Sequence, residues 1–233
     1  LRLAALSGNF RIEDPDTTNT PGFSRSRNVT LDFSQFLGAV RVRFAENDPS
    51  LTTVMFQNTS ATPIPFTLST GDGTKVIYAQ YETATGTQSA VQAAAIIVDT
   101  RPPQLASLTV ENGAAFTNDR TLLGLTAVAV DDPAMGADTA SGLAFMRLSP
   151  SSAVDMDGNL SGPREAYTRD RSWTPPSALP EGSFTLYAQF IDNAGNVTTA
   201  VSDSIIIDTL LPSGGLTIAR GSRAAANGFT NDV

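Results

Sequence analysis

The feature that most constrains this chain is that it says the same thing twice. The segments "AAIIVDTRPPQLASLTV" (94–110) and "SIIIDTLLPSGGLTI" (204–218) each read as an apolar strand, an Asp-Thr pair, a proline-bearing break and a new apolar strand. Asp99-Thr100 and Asp208-Thr209 stand 109 residues apart, and the same offset lays "VIYAQY" (76–81) on "TLYAQF" (185–190). With gaps, "VRVRFA" (40–45) falls on "AFMRLS" (144–149), and Phe23-Ser24 on Phe116-Thr117. "FTND" (116–119) returns at 229–232. Self-similarity at a fixed offset means one structural unit used more than once. The expected organisation is a divergent repeat at 1–98, a second repeat at 99–207, and the joint and opening strand of a third at 208–233.

The unit is β. Phe184, Leu186, Ala188 and Phe190 alternate with Ser183, Thr185, Tyr187 and Gln189, and Val40, Val42 and Phe44 alternate with Arg41 and Arg43. A period of two marks a strand with one buried face. No stretch carries a helical period. Turn signals recur at "GDG" (71–73), "DGN" (157–159) and "NAGN" (193–196). Several short strands in about 100 residues predict an all-β chain of tandem immunoglobulin-like sandwiches. Trp173 and Phe66 occupy matching positions and are expected in the cores. Pro102, Pro103 and Pro212 fix φ in the joints and favour a stiff rod.

Composition removes several functions. Among 233 residues there is no histidine and no cysteine. The commonest general base, the triads built on it, disulfides and thiolate metal sites are therefore absent. Net charge is −8. An acidic chain repels phosphate backbones and anionic lipid, so neither nucleic acid nor a membrane surface is an expected partner. The apolar run at 93–98 is far too short to span a bilayer. No enzyme activity is expected of this segment, which reads as a piece of a longer protein.

The run Gly182, Tyr187-Ala188-Gln189-Phe190, Asp192-Asn193-Ala194-Gly195-Asn196, then Ile205 to Thr209 and Pro212, resembles the tandem bacterial immunoglobulin-like repeats of large surface and secreted proteins. The first copy departs from it, with Thr83-Ala84-Thr85-Gly86-Thr87 in place of the Asp-Asn turn. The resemblance implies an extracellular or cell-surface stalk, adhesin or fibre whose partners are its own neighbouring repeats, with self-association through a lone opening strand. The rival is a carbohydrate-binding or accessory module of a larger secreted enzyme.

Asp99 and Asp208 have two readings, a turn that ends a strand or a calcium ligand shared between repeats. The resemblance implies interdomain calcium. The candidate set is Asp192, Asn193 and Asn196 of the turn with Asp208, closed by Asn231 or Asp232. On that grouping the second joint binds calcium and the first binds weakly or not at all. Asp131, Asp132 and Asp138, in a loop special to the second copy, form a lesser cation candidate. "DMDGN" (155–159) lacks the ligand spacing of a calcium loop and reads as a hairpin turn.

Overall fold

In a computed structural model, the structure describes residues 9–16, 19–36, 38–59, 63–131 and 140–216. Asp132, Asp138, Asn231, Asp232 and the expected opening strand of a third repeat lie outside the described residues.

The first repeat contains β1 (Arg11–Glu13), β2 (Phe23–Ser24), β3 (Asn28–Asp32), β4 (Ala39–Glu46), β5 (Gln57–Asn58), β6 (Ile64–Thr67), β7 (Gly73–Thr83) and β8 (Gln92–Val98). The second contains β9 (Gln104–Val110), β10 (Phe116–Thr117), β11 (Leu123–Val130), β12 (Leu143–Ser149), β13 (Glu165–Ala166), β14 (Asp170–Trp173), β15 (Gly182–Asp192) and β16 (Val201–Ile207). Each repeat is a three-stranded sheet facing a five-stranded one. The orders are β1-β3-β6 and β2-β8-β7-β4-β5, then β14-β11-β9 and β10-β16-β15-β12-β13. The chain is all-β, a tandem of immunoglobulin-like sandwiches, with only a single 3-10 turn at Glu111–Gly113 among the described residues.

The repeat read from the sequence is also a repeat of register. Val42 sits opposite Tyr81, and Met146 opposite Phe190. Phe23 pairs in parallel with Ile97, and Phe116 with Ile206. Small polar devices recur too. The Ser89 hydroxyl accepts from Tyr81 N–H at 3.1 Å, and the Thr198 hydroxyl from Phe190 N–H at 3.1 Å.

Two separate apolar clusters fill the sandwiches. One gathers Val29, Leu31, Val42, Ile77, Tyr81 and Ile96, the other Leu123, Leu125, Met146, Leu186, Phe190 and Ile205. Both come from the alternating faces of the strands. Phe66 and Trp173 pack against their respective clusters. Trp173 lies along Phe184, ring centroids 5.9 Å apart. The "DMDGN" segment is a turn closed on Asp155, whose carboxylate accepts from the amides of Asp157 and Asn159. Those bonds, with that from the Asn159 side chain, hold the Asp155 carboxyl below its ordinary range.

Candidate functional site at the first joint

The Asp-Thr signature ends β8 and β16 in the same way. Asp99 Oδ1 accepts from Arg101 N–H at 3.1 Å, and Asp208 Oδ1 from Leu210 N–H at 3.1 Å. Each is an Asx turn that bends the chain out of its last strand. The threonine then ties the bend to the acidic residue before the neighbouring long strand. Thr100 Oγ1 donates to Asp72 at 3.0 Å, and Thr209 Oγ1 donates to Glu181. Asp72 and Glu181 are themselves 109 residues apart.

Beyond that common role the two aspartates part company. Asp99 is fully buried and meets the second repeat. Its Oδ2 accepts from Ser141 N–H at 2.8 Å, and its backbone carbonyl accepts from Asn196 Nδ2 at 2.9 Å. Asp192, also fully buried, ends β15; its Oδ1 accepts from Asn196 N–H at 2.8 Å and its Oδ2 from Asn196 Nδ2 at 2.8 Å. Asp131 follows β11 and accepts from Gly142 N–H. One carboxylate oxygen from each of Asp99, Asp131 and Asp192 lies within 4.8 Å of the others.

The structure therefore gathers the turn with Asp99 and leaves Asp208 out. The reason is strand direction. β15 and β16 are antiparallel, with Gly182 opposite Ile207. Asp192 ends one strand and Asp208 follows the other, so they lie at opposite ends of the sandwich, roughly 30 Å apart at ~3.3 Å per residue. The turn of a repeat thus faces the joint that precedes it. Asn193 stands at the same joint but in a positioning role: its Nδ2 donates to the carbonyls of Ser141 and Gly142, and its own carbonyl accepts from Thr20 N–H of the first repeat at 3.0 Å.

The residues suit a hard divalent cation. Calcium sits 2.3–2.6 Å from each oxygen, so two of its ligands are separated by at most about 5 Å. Three carboxylate oxygens within 4.8 Å of one another meet that limit. Two N–H groups donate to the carboxylate of Asp99 and two to that of Asp192, in each case part of the about four lone-pair sites a carboxylate has. Burial is the main force that pushes the Asp192 carboxyl up to about 7, and the neighbouring charges of Asp99 and Asp131 add to it. Asp99, Asp131 and Asp192 would hold the ion, which would supply the missing positive charge. Asn196, expected as a ligand, turns its Nδ2 donor to Asp192 and to the Asp99 carbonyl and so positions the carboxylates instead.

The first repeat's own turn has the same backbone and no charge. Thr87 N–H donates to Thr83 Oγ1 at 3.1 Å where Asn196 N–H donates to Asp192. Sequence reasoning missed Asp99 as the partner of this turn, and missed Asn19 and Thr20 altogether. Asn19 is buried, its Oδ1 has no hydrogen-bond partner among the described residues, and it presses on Gly195. Gly195 has φ +87°, and a Cβ there would stand 2.0 Å from Asn19 Oδ1. Gly195→Ala is expected to destabilise the second repeat by about 1–2 kcal/mol through left-handed strain alone. It should also speed hydrogen exchange at the Thr20 amide, which is bonded across the joint. An unchanged Thr20 exchange rate would show that Gly195 does not set the fit.

No protein-family model matches the chain, and no curated protein matches it. Solved structures do. The fibronectin(III)-like modules of Clostridium thermocellum CbhA share 14% identity over 90% of this chain and 100% of theirs, with a TM-score of 0.50. The FN1–FN3 domains of chicken CNTN1 share 10% identity over 88% of this chain and 64% of theirs, with a TM-score of 0.47. The likeness to the first of these, with the sheet orders above, shows a sandwich fold of the kind seen in fibronectin(III)-like modules.

Proposed function

We propose that the chain is a non-enzymatic structural segment of a bacterial cell-surface or secreted protein. In it, consecutive sandwiches act as a stalk, adhesin or fibre, and calcium locks the first joint. The observation that carries this reading is the triad of Asp99 and Asp192, both fully buried, with the half-buried Asp131, drawn from both sides of one joint. Two fully buried carboxylates this close repel each other, and a bound cation removes that cost. Because Asp99 belongs to the end of the first repeat and Asp131 and Asp192 to the second, the ion would couple the orientation of one sandwich to the next. A spacer gains stiffness from such a coupling; a freely hinged pair does not.

The test is calorimetric titration of calcium into the chain, with thermal melting beside it. Binding should raise stability by about 2.7 kcal/mol at a hundredfold excess over the dissociation constant. Asp99→Asn and Asp131→Asn should abolish the heat, and Asp208→Asn should leave it intact. Absence of both heat and melting shift in wild type at millimolar calcium removes the cation from the proposal. Loss of binding in Asp208→Asn alone would return the site to the second joint.

A further inference from the structure

The geometry points to a second site on the other side of the same turn: a cleft between the two repeats that binds a small oxyanion-bearing ligand, of monosaccharide size and carrying a carboxylate or phosphate. The cleft encloses about 350 Å³, at the small end of the range for ligand pockets. Arg25 of the first repeat and Arg147 and Arg164 of the second line it, together with Ile191 and Val197. The chain has only 15 basic residues and a net charge of −8, so three arginines around one concavity is a local reversal of its charge.

The repeat itself supplies an internal control. Arg43 is the counterpart of Arg147, by the same register that places Val42 on Met146. In the first repeat Arg43 is fully engaged: Nε and Nη2 both donate to Gln80 Oε1, at 3.0 and 2.6 Å, and Nη1 donates to the Leu51 carbonyl. The second repeat keeps the glutamine as Gln189 and keeps the Nη1 bond, now to the Gly162 carbonyl at 2.6 Å. Gln189 Oε1, however, accepts from Leu160 N–H at 2.9 Å instead. Arg147 Nε is left buried with no hydrogen-bond partner among the described residues. The same arginine position is bonded at Nε in one copy, while in the other it lines a cleft, held by Nη1, with its buried Nε unbonded among the described residues.

The surroundings fit an anion. Arg164 Cζ sits over the Phe145 ring, 3.8 Å from its centroid, a cation–π contact that holds the guanidinium at the cleft. Burial first, and the charge of Arg147 second, make its protonated form less favourable than usual, while the Asp16 carboxylate acts in the opposite sense and offsets part of that cost. Two guanidinium groups that repel each other in a partly dry cleft are stabilised by an oxyanion between them, and their forked donors match carboxylate and phosphate geometry. Asp16, paired with Arg25 at 2.8 Å, and Asp157 also line the cleft and limit the net positive charge to about one unit. That balance favours a ligand with a single negative group and neutral hydroxyls for the carboxylates to bind.

The test is titration of the whole chain with glucuronate, glucose and inorganic phosphate at matched ionic strength. Glucuronate is expected to bind at least about tenfold more tightly than glucose, a charge-assisted difference. Arg147→Gln and Arg25→Ala should each weaken glucuronate binding, the former by about tenfold or more. Arg43→Gln, the matched change in the first repeat, should not. Arg25 is half exposed and outside both cores, so its variant tests the site without threatening the fold. Phosphate binding more tightly than glucuronate would assign the anion to a phosphate source; glucuronate binding more tightly would assign it to a carboxylate. Equal affinity for glucose and glucuronate overturns the site, as does no binding of either anion at about 10 mM, a free energy under 3 kcal/mol. Unchanged affinity in both Arg147→Gln and Arg25→Ala overturns it too.

Discussion

In the absence of divalent cations, the second repeat is expected to lose stability as the pH rises from about 4 to about 7. Burial and the charges of Asp99 and Asp131 raise the folded-state pKa of Asp192 from 3.8 to about 7. The folded chain therefore holds a proton that the unfolded chain releases over that window. Stability falls with pH wherever the native state binds more protons. At 1.36 kcal/mol per unit, the full penalty approaches roughly 4 kcal/mol above pH 7 and vanishes below pH 4. Asp48, Asp119 and Glu181 act in the opposite sense, since their hydrogen bonds lower their pKa values and favour the ionised form. Their contribution is present above about pH 4 and disappears in acid, so it leaves the window from 5 to 8 to Asp192. Asp192→Asn should flatten the profile there, and in chelator at pH 8 it should be more stable than wild type. Calcium should invert that order, stabilising wild type at pH 8 and leaving the variant unmoved. Denaturant melts at pH 5 and 8, in EDTA and in calcium, measure all of it. A flat wild-type profile in EDTA would mean that the carboxylates relax apart or take up water.

What the sequence made legible here is what strands encode locally. The offset of 109 carried over to the ladders, because alternation fixes which face of β7 and β15 is buried, and register follows from that. Even the gapped pairing of 40–45 with 144–149 agrees with the opposition of Val42 to Tyr81 and of Met146 to Phe190. The turn 192–196 was legible as a polar turn at a joint from its Asp-Asn composition. Its partner was not. Asp208 is 16 positions from Asp192 and Asp99 is 93 positions away, yet Asp99 is the one in contact. Sequence proximity favoured the wrong aspartate; two antiparallel strands put the near residue at the far end. Asn19 was invisible for a related reason: nothing in "TTNTPGF" (17–23) signals that a glycine of the next repeat will press on it. Arg147 was hidden by similarity, since its strand reads like that of Arg43, and only the diverted Gln189 bond separates them.

Removing one core aromatic should unfold one sandwich and spare the other. Phe190 is fully buried, sits opposite Met146 in the ladder, and meets the Tyr167 ring edge-on at 6.0 Å. Tyr81 is its counterpart in the first repeat, fully buried and stacked with Phe36. Phe190→Ala is expected to cost about 3–5 kcal/mol, a lost transfer energy plus an unfilled cavity. Against a stability of about 5–15 kcal/mol for a domain of this size, that is a large share. The two apolar clusters are distinct, so most of the loss should stay in the second repeat. Trp173 is the chain's only tryptophan and packs against the second cluster, which makes its fluorescence a reporter of that repeat alone. In Phe190→Ala the tryptophan transition should fall by roughly 10 °C or more, at about 4–8 °C per kcal/mol. Circular dichroism should then resolve a second transition near the wild-type temperature. Tyr81→Ala should do the reverse, lowering the circular-dichroism transition of the first repeat while the tryptophan signal holds. The proposed calcium site would add a coupling to this scheme, because Asp99 directly follows the last strand of the first sandwich while Asp131 and Asp192 belong to the second. With calcium bound, the two transitions of either variant should draw together, since melting one repeat dismantles the ion's ligands. A single transition that shifts as a whole in both variants without calcium would show that the sandwiches fold as one unit.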